Sequence, residues 1–173
     1  IKPENILITK KESIVMIMDL GISRFLSSAD LASTTTGTIY YMPKELLGKE
    51  GGSFYSDIYS LGVMMYEMLT GQLPFYGESI GEIIDNIRSN NPAPPMEINP
   101  DIDERLNRII LKAIRRNVNE RYRTTEEMLK AIRAYRQGID EDYEYICKCI
   151  SEAHELFISD KLEEAENRLK ELI

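Results

Sequence analysis

The sequence is poor in the residues that build metal and disulfide sites, with two cysteines and one histidine in 173 residues. Cys147 and Cys149 stand two apart in a stretch patterned like a helix, where residues i and i+2 do not face each other. They cannot readily share a bridge or a metal, and His154 by itself leaves a zinc set incomplete. Both cysteines are expected to be reduced, partly buried thiols, and the histidine a helix-surface residue. No run approaches the ~20 apolar residues of a membrane span, and no signal peptide precedes the first strand. Nothing in the cysteine usage suggests secretion. The expected setting is cytoplasmic, or the cytoplasmic face of a membrane if a spanning helix lies outside these residues.

Basic residues are also short, 21 against 29 acids, for a net charge of -8. The deficit is local. Residues 1–138 carry 18 acids and 17 bases, whereas residues 139–173 carry 11 acids and 4 bases. The break at Gly138 reads as a boundary between a main domain, 1–138, and an appendage, 139–173. An acidic appendage argues against nucleic acid or anionic membrane as its partner and leaves protein partners open. The 43% hydrophobic and 29% charged fractions are ordinary for a soluble globular protein. A chain of this length suits one domain plus a small addition, since domains cluster near ~100–150 residues.

Ile6-Leu7-Ile8 and Ile14 to Met18 are short apolar runs around a polar Lys10-Lys11-Glu12, a pattern that predicts a β-hairpin. The Ser- and Thr-rich stretch from Ser23 to Thr38 lacks periodicity and reads as a long surface loop. Ile58 to Leu69 is apolar on nearly every side, the mark of a helix at the centre of a lobe, and Gly71 offers its stop. Ser79 with Glu82 has capping-box spacing ahead of the stripe Ile80, Ile83, Ile84, Ile87. Pro92, Pro94 and Pro95 then forbid helix. Leu106, Ile109, Ile110, Ala113 and Ile114 form the next stripe. Thr124 with Glu127 caps another helix, expected to run to Gly138. The fold class is therefore mainly α: one small hairpin and a helical bundle.

Four motifs lie on this frame. Lys2-Pro3-Glu4-Asn5 precedes the first strand and, alone, is only a turn. Asp19-Leu20-Gly21 follows the second strand and, alone, is a strand-end turn. Gly37-Thr38-Ile39-Tyr40-Tyr41-Met42-Pro43-Lys44-Glu45 comes third. Ser56-Asp57-Ile58-Tyr59-Ser60-Leu61-Gly62-Val63 opens the central helix, where Asp57 could simply complement the helix dipole. In this order and spacing, across roughly residues 1–137, they resemble the C-terminal lobe of a eukaryotic-type (Hanks-type) Ser/Thr protein kinase catalytic domain.

The resemblance implies an enzyme that moves the γ-phosphoryl group of ATP, with Mg²⁺, to Ser/Thr hydroxyls of protein substrates. It implies that Asn5 and Asp19 bind magnesium, that Lys2 neutralises the γ-phosphate, and that Thr38 hydrogen-bonds Lys2 and the catalytic aspartate. That aspartate would be the residue just before Ile1. The Gly-rich loop, strand lysine and helix glutamate would likewise lie outside the chain, so no phosphotransfer is expected of residues 1–173 alone. Glu45 is expected to be buried and paired with Arg121, and Asp57 to hold the catalytic-loop backbone. Pro43-Lys44-Glu45 departs from the family's Ala-Pro-Glu and alters the neighbouring pocket. The Ser/Thr-rich loop would be the activation segment, with Thr35 or Thr36 as autophosphorylation sites.

The appended segment reads as two amphipathic helices meeting near Ser159-Asp160. Ala153, Leu156 and Phe157 lead into Leu162, Ala165 and Leu169. This resembles part of a tetratricopeptide repeat that would bind a protein partner, with a plain helical extension or coiled-coil linker as the alternative. Two other functions compete: a pseudokinase or scaffold that binds through the helical repeats, and an unrelated helical adaptor. Retention of Lys2, Asn5, Asp19 and Thr38 opposes the first. Magnesium-dependent nucleotide binding by the complete protein would exclude the second.

Overall fold

The computed structural model describes residues 1–9, 14–18, 36–47, 54–158 and 161–170. They form two compact units, Ile1–Lys130 and Ala131–Ile173.

The first unit opens with a 3₁₀ turn, Pro3–Asn5, where proline's fixed φ suits the first helical position. Strands β1 (Ile6–Ile8) and β2 (Val15–Ile17) follow and pair antiparallel with Ile6 opposite Ile17 and Leu7 opposite Met16. Thr9 fastens the far end: its N–H donates to Ile14 O, and its Oγ1 accepts from Ile14 N. Two strands alone are marginal in water, and Ile8 and Val15 are largely exposed. The anchor is at the other end, where Ile1 and Ile6 pack on the main core.

A short helix, α1 (Thr36–Ile39), begins within the stretch expected to be loop. The long α2 (Phe54–Thr70) is the centre of the lobe. Its Tyr59, Val63, Met64 and Tyr66 join Tyr41, Ile110 and Ile114 in the main core. Gly62 lets α2 approach α5 (Glu104–Ala113) closely: a Cβ there would sit 2.7 Å from Ala113 Cβ and 2.8 Å from Ile114 Cγ2. Gly71, at φ +71°, ends α2 in the left-handed conformation that glycine adopts without strain. Ile39, Leu47 and Phe75 build a second core with Ile83 and Ile87 of α3 (Ile80–Ser89).

The helix starts follow the residues that cap them. Ser79 Oγ accepts from Glu82 N, while Glu82 Oε2 accepts from Glu78 N. Asp103 Oδ1 accepts from Leu106 N at the start of α5. Thr124 Oγ1 accepts from Glu127 N, and Glu127 Oε2 accepts from Arg123 N. Ser79, Asp103 and Thr124 each satisfy a backbone donor that a first turn leaves open, while Glu82 and Glu127 hold the residue just before the cap.

Two expectations change. Pro95 opens a helix, α4 (Pro95–Ile98), instead of forbidding one, because its missing N–H falls where the helix needs none. The helix expected to stop at Gly138 continues as α6 (Thr125–Ile158). An interior glycine costs about 1 kcal/mol relative to alanine, too little to break a capped, well-patterned helix. The charge break thus falls inside one element.

Within the second unit, Arg168 of α7 (Leu162–Lys170) donates from Nε to Glu152 Oε2 at 2.6 Å, and its guanidinium lies over the Tyr145 ring. Cys149 is a buried free thiol. The side chains of Cys147 and His154, and residues Ser159 and Asp160, lie outside the described residues. Among the described residues no helix is long and apolar enough to cross a membrane.

Candidate active site

Lys2, singled out at the chain's start, meets α1. Lys2 Nζ donates to Thr38 Oγ1 at 3.0 Å, a partly buried bond joining residues 36 apart. The backbone holds Lys2 in place: the 3₁₀ turn places Asn5 N against Lys2 O at 3.0 Å, and Asn5 O accepts from Met18 N at 2.7 Å. The turn and the end of β2 are therefore one backbone unit. Asp57 Oδ1 lies 3.8 Å from the Ile1 nitrogen, and its side chain is largely exposed.

Asp19, Leu20 and Gly21 lie outside the described residues, as do Thr35 and the side chain of Thr36. The donors that are described fit a magnesium–nucleotide group. Asn5 offers a hard amide oxygen of the kind magnesium takes, and Lys2 a cation for phosphate.

Below Thr38 the chain is tied repeatedly to α2. Ser60 Oγ lies 2.8 Å from Tyr41 O and 2.9 Å from Ser56 O. Tyr41 Oη donates to Glu67 Oε2 at 2.6 Å. Burial, then that carboxylate, raises the Tyr41 phenol well above its ordinary value of 10.0. Both steps favour the neutral phenol, which alone can donate.

Glu45 and Arg121 form a buried, two-pronged pair, with Nη1 to Oε1 at 2.6 Å and Nη2 to Oε2 at 3.1 Å. Ser56 Oγ also donates to Glu45 Oε1 at 3.4 Å. The rest of the guanidinium is committed to backbone: Nε donates to Arg115 O at 2.6 Å and Nη1 to Tyr55 O at 3.3 Å. It also lies over the Tyr59 ring, 4.8 Å from its centroid. Planar bidentate pairing with nearly every donor satisfied is the geometry in which a buried charge pair is tolerated.

Sequence reasoning did not single out Glu67, Ser60, Arg115 or Arg116. Glu67 carried a usable signal, being a carboxylate within the otherwise apolar run 58–69. Arg115 and Arg116 carried none, because their neighbours come from distant segments.

A hairpin-led helical lobe whose first turn reaches a threonine-bearing helix defines the class, and sequence comparison supplies the family. The protein kinase domain family matches residues 1–132, and the chain belongs to it. The serine/threonine-protein kinase PknB of Mycolicibacterium smegmatis is 37% identical over 132 residues, covering 74% of this chain and 21% of the relative. A probable serine/threonine-protein kinase of Clostridium perfringens is 34% identical over 131 residues, covering 75% and 19%. A probable PknB of Lactococcus lactis is 32% identical over 132 residues, covering 75% and 21%. The chain thus spans about a fifth of the length of the curated relatives it matches.

Proposed function

We propose that this chain is the C-lobe part of a Ser/Thr protein kinase that moves the γ-phosphoryl group of ATP to Ser or Thr hydroxyls of proteins. The observation that carries the reading is the 3.0 Å bond from Lys2 Nζ to Thr38 Oγ1, which joins the first motif to the third. Phosphoryl transfer needs positioned cations and an oriented hydroxyl more than covalent work by the protein. In this reading Lys2 neutralises the transferring phosphate, and Thr38 fixes the Lys2 ammonium and hydrogen-bonds the catalytic aspartate. Asn5 and Asp19 would hold magnesium, which supplies charge neutralisation on the phosphates when bound. Glu45 and Arg121 keep the substrate-docking segment in shape.

The sequence carries no Gly-rich loop, strand lysine, helix glutamate or His-Arg-Asp. Turnover is therefore expected of a protein that supplies them and not of residues 1–173 alone. The test is radiolabelled phosphate transfer from Mg-ATP to Ser, Thr and Tyr peptides. Transfer to Ser and Thr, lost in Lys2→Met with the fold retained, supports the reading. Transfer by the 173-residue chain alone, or equal labelling of tyrosine, refutes it.

Thr35 or Thr36 is the proposed autophosphorylation site, read by mass spectrometry after incubation with Mg-ATP; an unmodified 22–38 peptide counts against it. Residues 139–173 are proposed as a partial tetratricopeptide-like hairpin that binds a protein partner, a reading supported by the Arg168–Glu152 contact between α6 and α7.

A further inference from the structure

Lys44, Tyr59, Asn91, Arg115, Arg116 and Arg121 help to line a cavity of about 190 Å³. A second hollow of about 260 Å³ shares Lys44, Asn91, Arg115 and Arg116 with it and adds Asn117 and Glu120. The charges there are unequal. Arg121 is neutralised by Glu45. Among the described residues Glu120 is the one carboxylate in either lining, and its Oε1 accepts from Asn117 Nδ2. Lys44, Arg115 and Arg116 remain, three cations against one carboxylate.

Arg116 is held rigidly, its Nη2 donating to Ser89 O and Asn90 O, both at 2.8 Å, and to Asn91 Oδ1 at 3.2 Å. Yet Arg116 Nε is buried with no partner among the described residues, and so is the hydroxyl of Tyr59, a side chain 2% exposed. Buried donors are almost always satisfied, by protein or by ordered water, and both of these belong to residues that line the cationic cavity. A ligand for the lining cations must bring several oxygens and negative charge. Phosphate does so, and arginine hydrogen bonds to it are among the stronger ones.

We propose that this cavity is an anion site for a phosphate group, carried either by a phosphorylated side chain or by free inorganic phosphate. Lys44 stands where the family resemblance expects proline, so a positive charge lies on the segment through this chain's own departure. Lys44, Arg115 and Arg116 supply the positive charge that meets the phosphate oxygens.

The test is calorimetric titration of the 173-residue chain at constant ionic strength, with inorganic phosphate in one arm and a blocked phosphothreonine peptide in the other. Saturable one-to-one binding is expected, weakened roughly tenfold or more by Lys44→Glu or Arg115→Glu. Arg105→Gln, which does not line the cavity, should leave it unchanged. Tighter binding of the peptide assigns the site to phosphoprotein; equal or tighter binding of inorganic phosphate assigns it to the free ion. Lys44 is half-buried and Arg115 exposed, so the variants are expected to fold, and Lys44→Ala gives a milder second check. No saturable binding in either arm, or binding unchanged in both charge reversals, overturns the proposal. The readout is binding and not phosphotransfer, so its failure is distinct from failure of the kinase reading.

Discussion

Replacing Arg121 with methionine isolates the buried charge pair. Arg121 is 0% exposed and Glu45 6% at the side chain. In the variant, the Glu45 carboxylate loses both guanidinium bonds, of 2.6 and 3.1 Å, and keeps the longer 3.4 Å contact from Ser56. The carbonyls of Arg115 and Tyr55 lose a donor as well. Stranding one member of a buried pair costs about 3–5 kcal/mol. A domain's whole stability is about 5–15 kcal/mol, so roughly a fifth or more of it is at stake. Urea unfolding followed by circular dichroism gives the total, and hydrogen exchange in peptides from residues 54–70 reports the first unit separately. Glu45→Met with Arg121→Met removes both charges and should recover at least about 1 kcal/mol of the loss. A cost below about 1 kcal/mol for Arg121→Met, or a double variant no better than the single, refutes the assignment of a tightly coupled pair.

Three further outcomes follow from the geometry. Gly62→Ala places a methyl 2.7 Å from Ala113 Cβ, and overpacking of that kind costs about 1–3 kcal/mol despite alanine's better helix propensity; a melting temperature at or above that of the parent would contradict it. Glu127 is held below its ordinary carboxylate value by the Lys112 ammonium and then by the Arg123 N–H. A depressed carboxylate stabilises above its unfolded value of 4.5, and that contribution disappears as pH falls through the lower folded value. Glu127→Gln should therefore lose about 1 kcal/mol at neutral pH, with the gap from the parent closing below pH 4.5 in acid-denaturation series. Tyr41 has the opposite sign: its raised phenol value makes the stabilisation complete below 10.0, and lost as pH climbs through the folded value. Tyr41→Phe should remove a component that ionises above the ordinary tyrosine range at 295 nm, and should cost about 1.5–3 kcal/mol with the bond to Glu67; an unchanged alkaline titration would tell against the contact.

Local chemistry made several of these elements readable in advance. Ser79 with Glu82, and Thr124 with Glu127, mark helix starts because capping is decided within four residues. Proline and glycine were harder, because their effect depends on position. Pro95 at a first helical position starts α4, and Gly138 inside a 34-residue helix is absorbed. Glu45 and Arg121 are 76 residues apart, and nothing in their local pattern joins them, so only the family resemblance led from one to the other. The cationic cavity was illegible for the same reason without any such help. Lys44 was visible as a departure, but its neighbours Arg115 and Arg116 arrive through the end of α5. That segment is brought in by the approach Gly62 permits.

The spacing on α2 explains how so small a sheet coexists with a fixed Lys2–Thr38 bond. Ser56, Ser60 and Glu67 are separated by one and then two helical turns, so they share a face. That face receives Glu45, the Tyr41 carbonyl and the Tyr41 hydroxyl respectively. Residues 41–45 are thus held to a rigid helix at three heights, and Thr38 lies only three residues before the first of them. On another side of the same helix, Gly62 seats α5, whose end leads to the carbonyls that hold Arg121. Arg121 closes the circuit by gripping Glu45. Position at Thr38 is therefore set by packing around α2 and not by the hairpin, whose outer residues stay exposed. The 3₁₀ turn needs only to deliver Lys2 to a hydroxyl already in place. The packing of α2 consequently determines whether Lys2 and Thr38 meet.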